Sequence, residues 1–370
     1  MMSRTDVIVT RRPPTPSPVY DTYWRFAALR QDVFHRRVRG ESSPWTSDGI
    51  LTAHRFTNAY RAADRVSQYL IRHVAYAGDP TADEVAFRVL LFKLFNRIET
   101  WELLTTAIGE IDVAGFDVDR YDRVMTSAFE EGQRLYSAAY IMPAASRASR
   151  RKHRTHLDLI RTMLRQRLPQ RLLEARSMER AFHLLIDYPG IGPFLAYQLV
   201  TDLNYSSVLN FSEMDFVMAG PGARSGIRKC FTDRGDYDDE TLIRFVAERQ
   251  ADEFGSRGLT FQDLWGRPLQ LIDCQNLFCE VDKYARIAHP DVEGIGQRTR
   301  IKQKFRALAT PLRMWFPPKW GLNERLPTAA SADQLDAPGL QIDLDDTLPA
   351  GVDLTPDVVA RQDGFLPLMT

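Results

Sequence analysis

The sequence predicts a mainly α fold with few or no strands. Three observations carry this reading. Apolar residues recur at helical spacing through most of the chain, strict apolar–polar alternation is scarce, and residues 178–216 read as a helix, a tight hairpin and a second helix.

Taken in order, residues 1–18 hold Pro13, Pro14, Pro16 and Pro18 and are expected to form a flexible Pro-rich arm. The aromatic-rich stretch 20–38 has helical spacing, 45–49 reads as a loop, and 52–74 reads as one long helix. Helices follow at 83–108, through Val85, Val89, Phe92, Phe95 and Leu103, and at 121–139 and 157–173. A helix over 269–287 stops before His289-Pro290, because a proline drives the residue before it out of the α region. Another is expected over 298–308. Residues 331–370 read as an acidic tail, disordered or loosely docked. The expected organisation is an arm at 1–18, a helical body at 19–325 with the hairpin element at about 176–205, and a tail at 326–370.

At 370 residues the chain can bury a core without staples. Its three cysteines, Cys230, Cys274 and Cys279, form no CxxC pair, which argues against a disulfide framework or a zinc site and favours a reducing, cytoplasmic setting. No histidine pair has metal-ligand spacing, so neither a metal nor another cofactor is expected. No apolar run approaches the ~18 residues of a membrane span, and no obligate protein partner is expected.

The net charge is zero. Residues 331–370 contain eight Asp and a single base, Arg361, so that segment carries −7 and residues 1–330 carry +7. Bases cluster at Arg147, Arg150, Arg151, Lys152 and Arg154 and continue through Arg161, Arg165, Arg167 and Arg171. Such a stripe either follows a phosphate backbone or is a solvated helix face. His153 and His156, within it, are expected to face phosphate or solvent.

In the hairpin segment Ala181, Leu184, Leu185 and Tyr188 form an apolar face, Pro189-Gly190-Ile191-Gly192 breaks the helix, and Pro193 sits where a first-turn proline is tolerated. Ile191 should anchor the turn in the core. The two glycines leave bare backbone, so amides opening the second helix can face a phosphate with the helix dipole behind them. Asp215 follows Gly190 by 25 residues, after the β-prone Val208-Leu209-Asn210-Phe211. Asp215 either supplies a carboxylate to a reacting sugar or caps the following helix.

Hairpin, second helix, extended connection and aspartate together resemble the helix-hairpin-helix DNA glycosylases. By that resemblance Asp215 is the catalytic carboxylate, and Phe194 stands where bifunctional members carry a Schiff-base lysine, which implies a monofunctional enzyme. Over a longer span the chain is similar to the alpha-glutamyl/putrescinyl thymine pyrophosphorylase group, relatives of the helical domain of hydroxymethyluracil DNA kinases. The carrying motifs are FTNAYRAADRVSQYLI (56–71), LFKLFNRIETWELL (91–104), MDFVMAGPGARSGIRKCF (214–231) and LQLIDCQNLFCEVDKYAR (269–286).

These resemblances imply a metal-independent DNA glycosylase that excises a hypermodified pyrimidine, such as a glycosylated hydroxymethyl pyrimidine, from phage DNA. An abasic site remains, in an anti-phage setting. The alternatives are a transferase that attaches an amine to activated hydroxymethyluracil in DNA, and a non-catalytic DNA-binding module. DNA-backbone contacts are expected at Pro189, Gly190, Ile191 and Gly192. More are expected from a flexible cationic loop holding Gly222, Arg224, Arg228 and Lys229, which lacks the GK[ST] ending of a nucleotide P-loop. Base recognition is expected from Asn58, Arg61 and Arg65 on one helical face, from Gln198, and from Asp273, Gln275, Asn276, Glu280 and Lys283. Each polar stripe has a structural alternative, as a buried network or an ion-paired face.

Overall fold

A computed structural model describes residues 11–138, 142–146, 151–296, 298–307 and 312–327. They belong to a unit that runs to Ser331. The acidic tail, the first ten residues of the expected arm, Arg147 and Arg150 lie outside the described residues.

The fold is mainly α, with fourteen α-helices and one two-stranded sheet among the described residues. Helix α1 (Pro18–Val38) starts where Ser17 accepts the Val19 amide and proline occupies the first turn. Its buried face carries Tyr20, Tyr23, Trp24, Phe26 and Phe34. The described residues just before it, 12–17, are tied down. β1 (Thr15–Pro16) pairs antiparallel with β2 (Phe231–Asp233), Arg12 pairs with Asp233, and Ser17 N donates to Cys230 O at 2.8 Å.

The single helix expected over 52–74 is broken. Helix α2 (Gly49–Ala53) ends at His54. Asn58 then competes with helix formation by donating from its backbone to Asp64 Oδ1 at 2.8 Å and from its side chain to Ala63 O at 2.7 Å. A 3-10 turn (Arg61–Ala63), α3 (Arg65–Tyr69) and a π-helical turn (Leu70–Ala75) follow. The expected 83–108 helix is two, α4 (Ala82–Phe95) and α5 (Ile98–Ile108), separated by left-handed Asn96, a residue type that tolerates that conformation. After α6 (Val118–Glu130), left-handed Arg167 likewise divides α7 (Lys152–Arg165) from α8 (Leu168–Leu173), whose first turn holds Pro169.

Beyond the hairpin pair α9 (Met178–Ile186) and α10 (Pro193–Tyr205) come α11 (Pro221–Cys230), α12 (Asp239–Glu248), α13 (Gln250–Ser256) and α14 (Leu271–Ala288). A capping box between Gln270 and Asp273 opens α14. Residues 298–307 are not helical. Their backbone pairs with 53–55, through Arg55 N to Gln303 O at 3.1 Å and Phe305 N to Ala53 O at 3.1 Å.

Helices α11 and α14 pack backbone to backbone at Gly226, where an added Cβ would fall 2.0 Å from Phe278 O. Both helices must separate to admit a methyl group, so Gly226→Ala is expected to cost about 2 kcal/mol or more, towards the upper end for overpacked cores. Chemical denaturation measures it. A loss below about 0.5 kcal/mol would mean that the crossing is loose.

Candidate functional site

The hairpin forms as the sequence predicts. Ser177 caps α9 through Arg180 N at 3.1 Å, and Ile191 N donates to Tyr188 O at 3.2 Å to close the turn. Ile191 is buried, whereas Pro189, Gly192 and Pro193 are exposed. Gly190 has φ +78, and a Cβ there would stand 2.9 Å from Ala145 Cα, so glycine is required by both conformation and space. Gly192 is the cap of α10, with φ −82 and open space where a Cβ would stand. The positive end of the α10 dipole therefore meets solvent at bare backbone.

The basic stripe divides in two. Arg151 pairs with Asp122, Arg154 with Asp119, and Arg161 with Asp158, so that half is an ion-paired helix face. Arg165 and Arg167 are exposed, and no salt bridge involves them among the described residues. Arg167 opens α8, which packs on α9, and Arg171 of α8 interacts electrostatically with Tyr188 of the hairpin. Uncompensated charge thus remains on the side that leads to the hairpin. The two histidines do not face phosphate or solvent. His153 is buried against Asp122 and Thr126, and His156 bonds Tyr136 and Pro143 O, with its pKa lowered to about 4 by burial.

Further along α10 lies a buried charged network. Asp202 on α10 is 1% exposed and sits between Arg61 Nη1 at 2.7 Å and Lys93 Nζ at 2.8 Å. Burial raises the Asp202 pKa, but Arg61 and Lys93 together outweigh it and hold the carboxyl below its ordinary range. Arg61 Nε also donates to Gln198 Oε1 at 3.1 Å, and Arg61 N to Asp273 Oδ1 at 2.8 Å. Asp273 takes a second amide, Gln270 N, at 3.0 Å. Burial, reinforced by the nearby charge of Glu213, nevertheless pushes Asp273 up to about 7. Glu213, also raised by burial, is bound by Arg267 at 2.6 Å, and Arg267 lies 3.8 Å over the Trp320 ring.

The second polar stripe joins the same interior. Glu280 accepts Thr57 N at 2.9 Å and pairs with Lys283 at 2.7 Å, and Asn276 donates to Thr57 Oγ1 at 3.0 Å. Gln275 donates to Cys279 Sγ at 3.3 Å. Asn58, Arg61, Gln198, Asp273, Asn276 and Glu280 are therefore brought together, with their polar groups bonded inside the protein. Arg65, half-buried on α3, sits beside Glu102 rather than on one helical face with Asn58 and Arg61.

Asp215 is exposed in a turn closed by its own amide on Ser212 O at 3.1 Å, while its carbonyl accepts from Arg244 at 3.0 Å. It caps no helix, because α11 starts at Pro221 with Gly220 as its cap. The expected flexible cationic loop is α11 itself. A Cβ on Gly222 would press on Cys279 Sγ at 2.9 Å, and Lys229 is buried against Asp282 at 3.2 Å, so only Arg224 and Arg228 of that set are exposed. Sequence reasoning passed over Lys93, Asp202, Glu213 and Arg267. The signal for the first two was a charge inside an otherwise apolar helix, which is stable only when paired.

Residues 17–294 match the family described as 5-hmdU DNA kinase, helical domain, and the chain belongs to that family. It is 27% identical over 303 residues to the 5-hmdU DNA kinase of Bacillus phage SP10. That alignment takes in 75% of this chain and 47% of the relative, so the chain spans about half the length of the relative it matches. No solved structure matches. The resemblance to the hydroxymethyluracil DNA kinase relatives holds, and membership of the glycosylase superfamily is not shown. The expected hydrolysis of an N-glycosyl bond is corrected. The family is named as the helical domain of a DNA kinase and the relative is named a DNA kinase, and kinases transfer a group and leave base and sugar joined. Abasic product and anti-phage excision fall with that chemistry. No helix among the described residues is long and apolar enough to cross a membrane.

Two measurements test the network. Asp202→Ala leaves Arg61 and Lys93 buried without their counter-charge, and is expected to cost about 3–5 kcal/mol. A loss under 1 kcal/mol would show the carboxylate to be dispensable. An Asp titrates near 3.9 when unfolded, whereas Asp273 titrates at about 7 when folded, so the folded state holds the extra proton between those values. Its contribution to stability is full below about 4 and falls as pH rises through 7. The stability advantage of wild type over Asp273→Asn should therefore shrink from pH 5 to pH 8, and a constant difference across that range would refute the assignment.

Proposed function

We propose that this chain is the DNA-handling part of a group-transfer reaction on 5-hydroxymethyluracil in DNA, acting at the base's hydroxymethyl arm with the glycosidic bond left intact. The observation that carries it is the family match across residues 17–294, supported by a kinase relative whose name specifies 5-hmdU DNA. The sequence has no G-x-x-x-x-G-K-[ST] run, so the role assigned to it is holding the DNA rather than binding a triphosphate in a P-loop.

The exposed hairpin supplies the means of holding. Pro189, Gly190 and Gly192 present backbone at the α10 terminus, where a phosphate gains from the amides and dipole together. Arg165, Arg167 and Arg228 add exposed positive charge that positions a strand without reading its sequence, while Arg224, also exposed, is paired with Asp239 at 3.7 Å. Base discrimination requires groups not already bonded inside the protein, so we assign Arg61, Gln198 and Asp273 to holding α10 in place.

Gly192→Glu tests the hairpin, since a side chain fits there without backbone strain. DNA affinity should fall about ten-fold at low salt while the melting temperature stays within a degree or two. Unchanged affinity would reduce the hairpin to a structural connection. Incubation with hydroxymethyluracil DNA and the kinase co-substrates, followed by mass analysis, tests the chemistry. Every glycosidic bond is expected to remain intact, and release of free base with abasic sites would overturn the reading.

A further inference from the structure

A cavity of about 320 Å³ lies away from the hairpin, between α1, residues 43–56 and the extended segment at Phe305. Small-molecule sites run from ~300 Å³ upwards, so this one suits a single nucleotide-sized ligand. Its lining includes Arg30 and Arg37 and no carboxylate. Arg30 is 8% exposed. It spends Nε on Thr57 O at 2.9 Å and Nη2 on Asn58 Oδ1 at 2.6 Å, while Nη1 has no hydrogen-bond partner among the described residues. His54, on the cavity wall, has its buried Nδ1 in the same condition. Asp64 and Glu280 act electrostatically on Arg30 from outside the lining, but two guanidiniums with no carboxylate on the wall itself, one with a buried donor unspent, make a site for an anion.

The remaining walls are aromatic and hydroxylic. Trp45, Phe56 and Phe305 contribute ring surface, with the Trp45 and Phe305 centroids 6.3 Å apart and their planes near perpendicular. Arg37 lies 5.0 Å over Trp45, which fixes its charge beside the ring. Ser43 and Thr52 are exposed at the rim. The chain builds this wall from distant pieces, since pairing of 303–305 with 53–55 is what brings Phe305 across.

We propose that this cavity is a second binding site, for a nucleoside monophosphate whose phosphate meets Arg30 and Arg37 and whose base lies against the aromatic wall. The phosphate takes the unspent guanidinium donor, the ring edges of Trp45 and Phe305 exclude water from the base, and the rim hydroxyls meet the sugar. The same chemistry is offered by a free nucleotide and by a nucleotide turned out of a DNA strand. The site is independent of the hairpin, so Gly192→Glu leaves it unchanged.

Calorimetric titration of the full chain with deoxyuridine 5′-monophosphate tests the site, with deoxyuridine and inorganic phosphate as controls. Saturable one-to-one binding of the nucleotide is expected, with each control weaker by about ten-fold or more, as expected for loss of a charge-assisted contact or of the stacked base. Arg37→Gln should weaken it by a similar factor. Thr52→Trp, at the exposed rim, should abolish it by filling the cavity, and both variants should keep wild-type melting temperature and hairpin-dependent DNA binding. Displacement of the nucleotide by a single-stranded oligonucleotide assigns the occupant to DNA, and failure to displace assigns it to a free nucleotide. Absence of saturable binding, equal binding of deoxyuridine, or binding that survives Thr52→Trp overturns the proposal.

Discussion

The rest of the structure hangs on Asp202, a carboxylate withdrawn from water on α10 and held between Arg61 and Lys93. Desolvating three charges is unfavourable, and their mutual proximity with a further bond from Arg61 to Gln198 makes it tolerable. The three residues come from the irregular segment after α2, from α4 and from the second hairpin helix. Their pairing therefore fixes how α10 sits in the body, and with it the direction in which its exposed N-terminus faces. A hydrophobic contact of the same area would permit sliding, whereas oppositely charged groups at 2.7 to 2.8 Å do not.

This explains why the four sequence motifs that carry the family resemblance are long and dense in polar residues. Arg61 lies in the first motif, Lys93 in the second, Gly226 in the third and Asp273 in the fourth. The third and fourth meet where α11 presses on the Phe278 carbonyl, and the first and fourth meet at the Arg61 amide on Asp273. Much of the expected base-recognition set is buried, with its polar groups bonded inside the protein. Among the described residues, bare backbone at the hairpin, exposed arginines and the separate cavity lined by Arg30 and Arg37 stay open to solvent.

The glycosylase expectation arose from a real local likeness. The hairpin and the spacing to Asp215 are present, but spacing along the chain does not report where a carboxylate ends up. Asp215 stands in solvent, and Glu213, two residues earlier, points inward to Arg267. A one-dimensional pattern cannot separate these neighbours, because the segment is an irregular loop with no period to assign faces. The likeness to hydroxymethyluracil DNA kinase relatives was the more reliable guide because it rested on four separated motifs.

The sequence by itself determined the helices whose apolar period is uninterrupted, such as α1, α10 and α14, and the hairpin, whose Pro-Gly-Ile-Gly run admits few other backbone paths. It also contained the charges of Lys93 and Asp202 inside apolar helices, an unread statement that partners must exist. Only the tertiary structure decided who those partners are, because Arg61 and Asp202 are remote in the chain and their pairing depends on loop closure. The same is true of the break at Asn58, where side-chain bonds to Asp64 and Ala63 outcompete helix propensity, and of the extended 298–307 segment, which finds backbone partners at 53–55. Local periodicity sets which face of a helix is apolar, and long-range burial sets which polar groups must find one another.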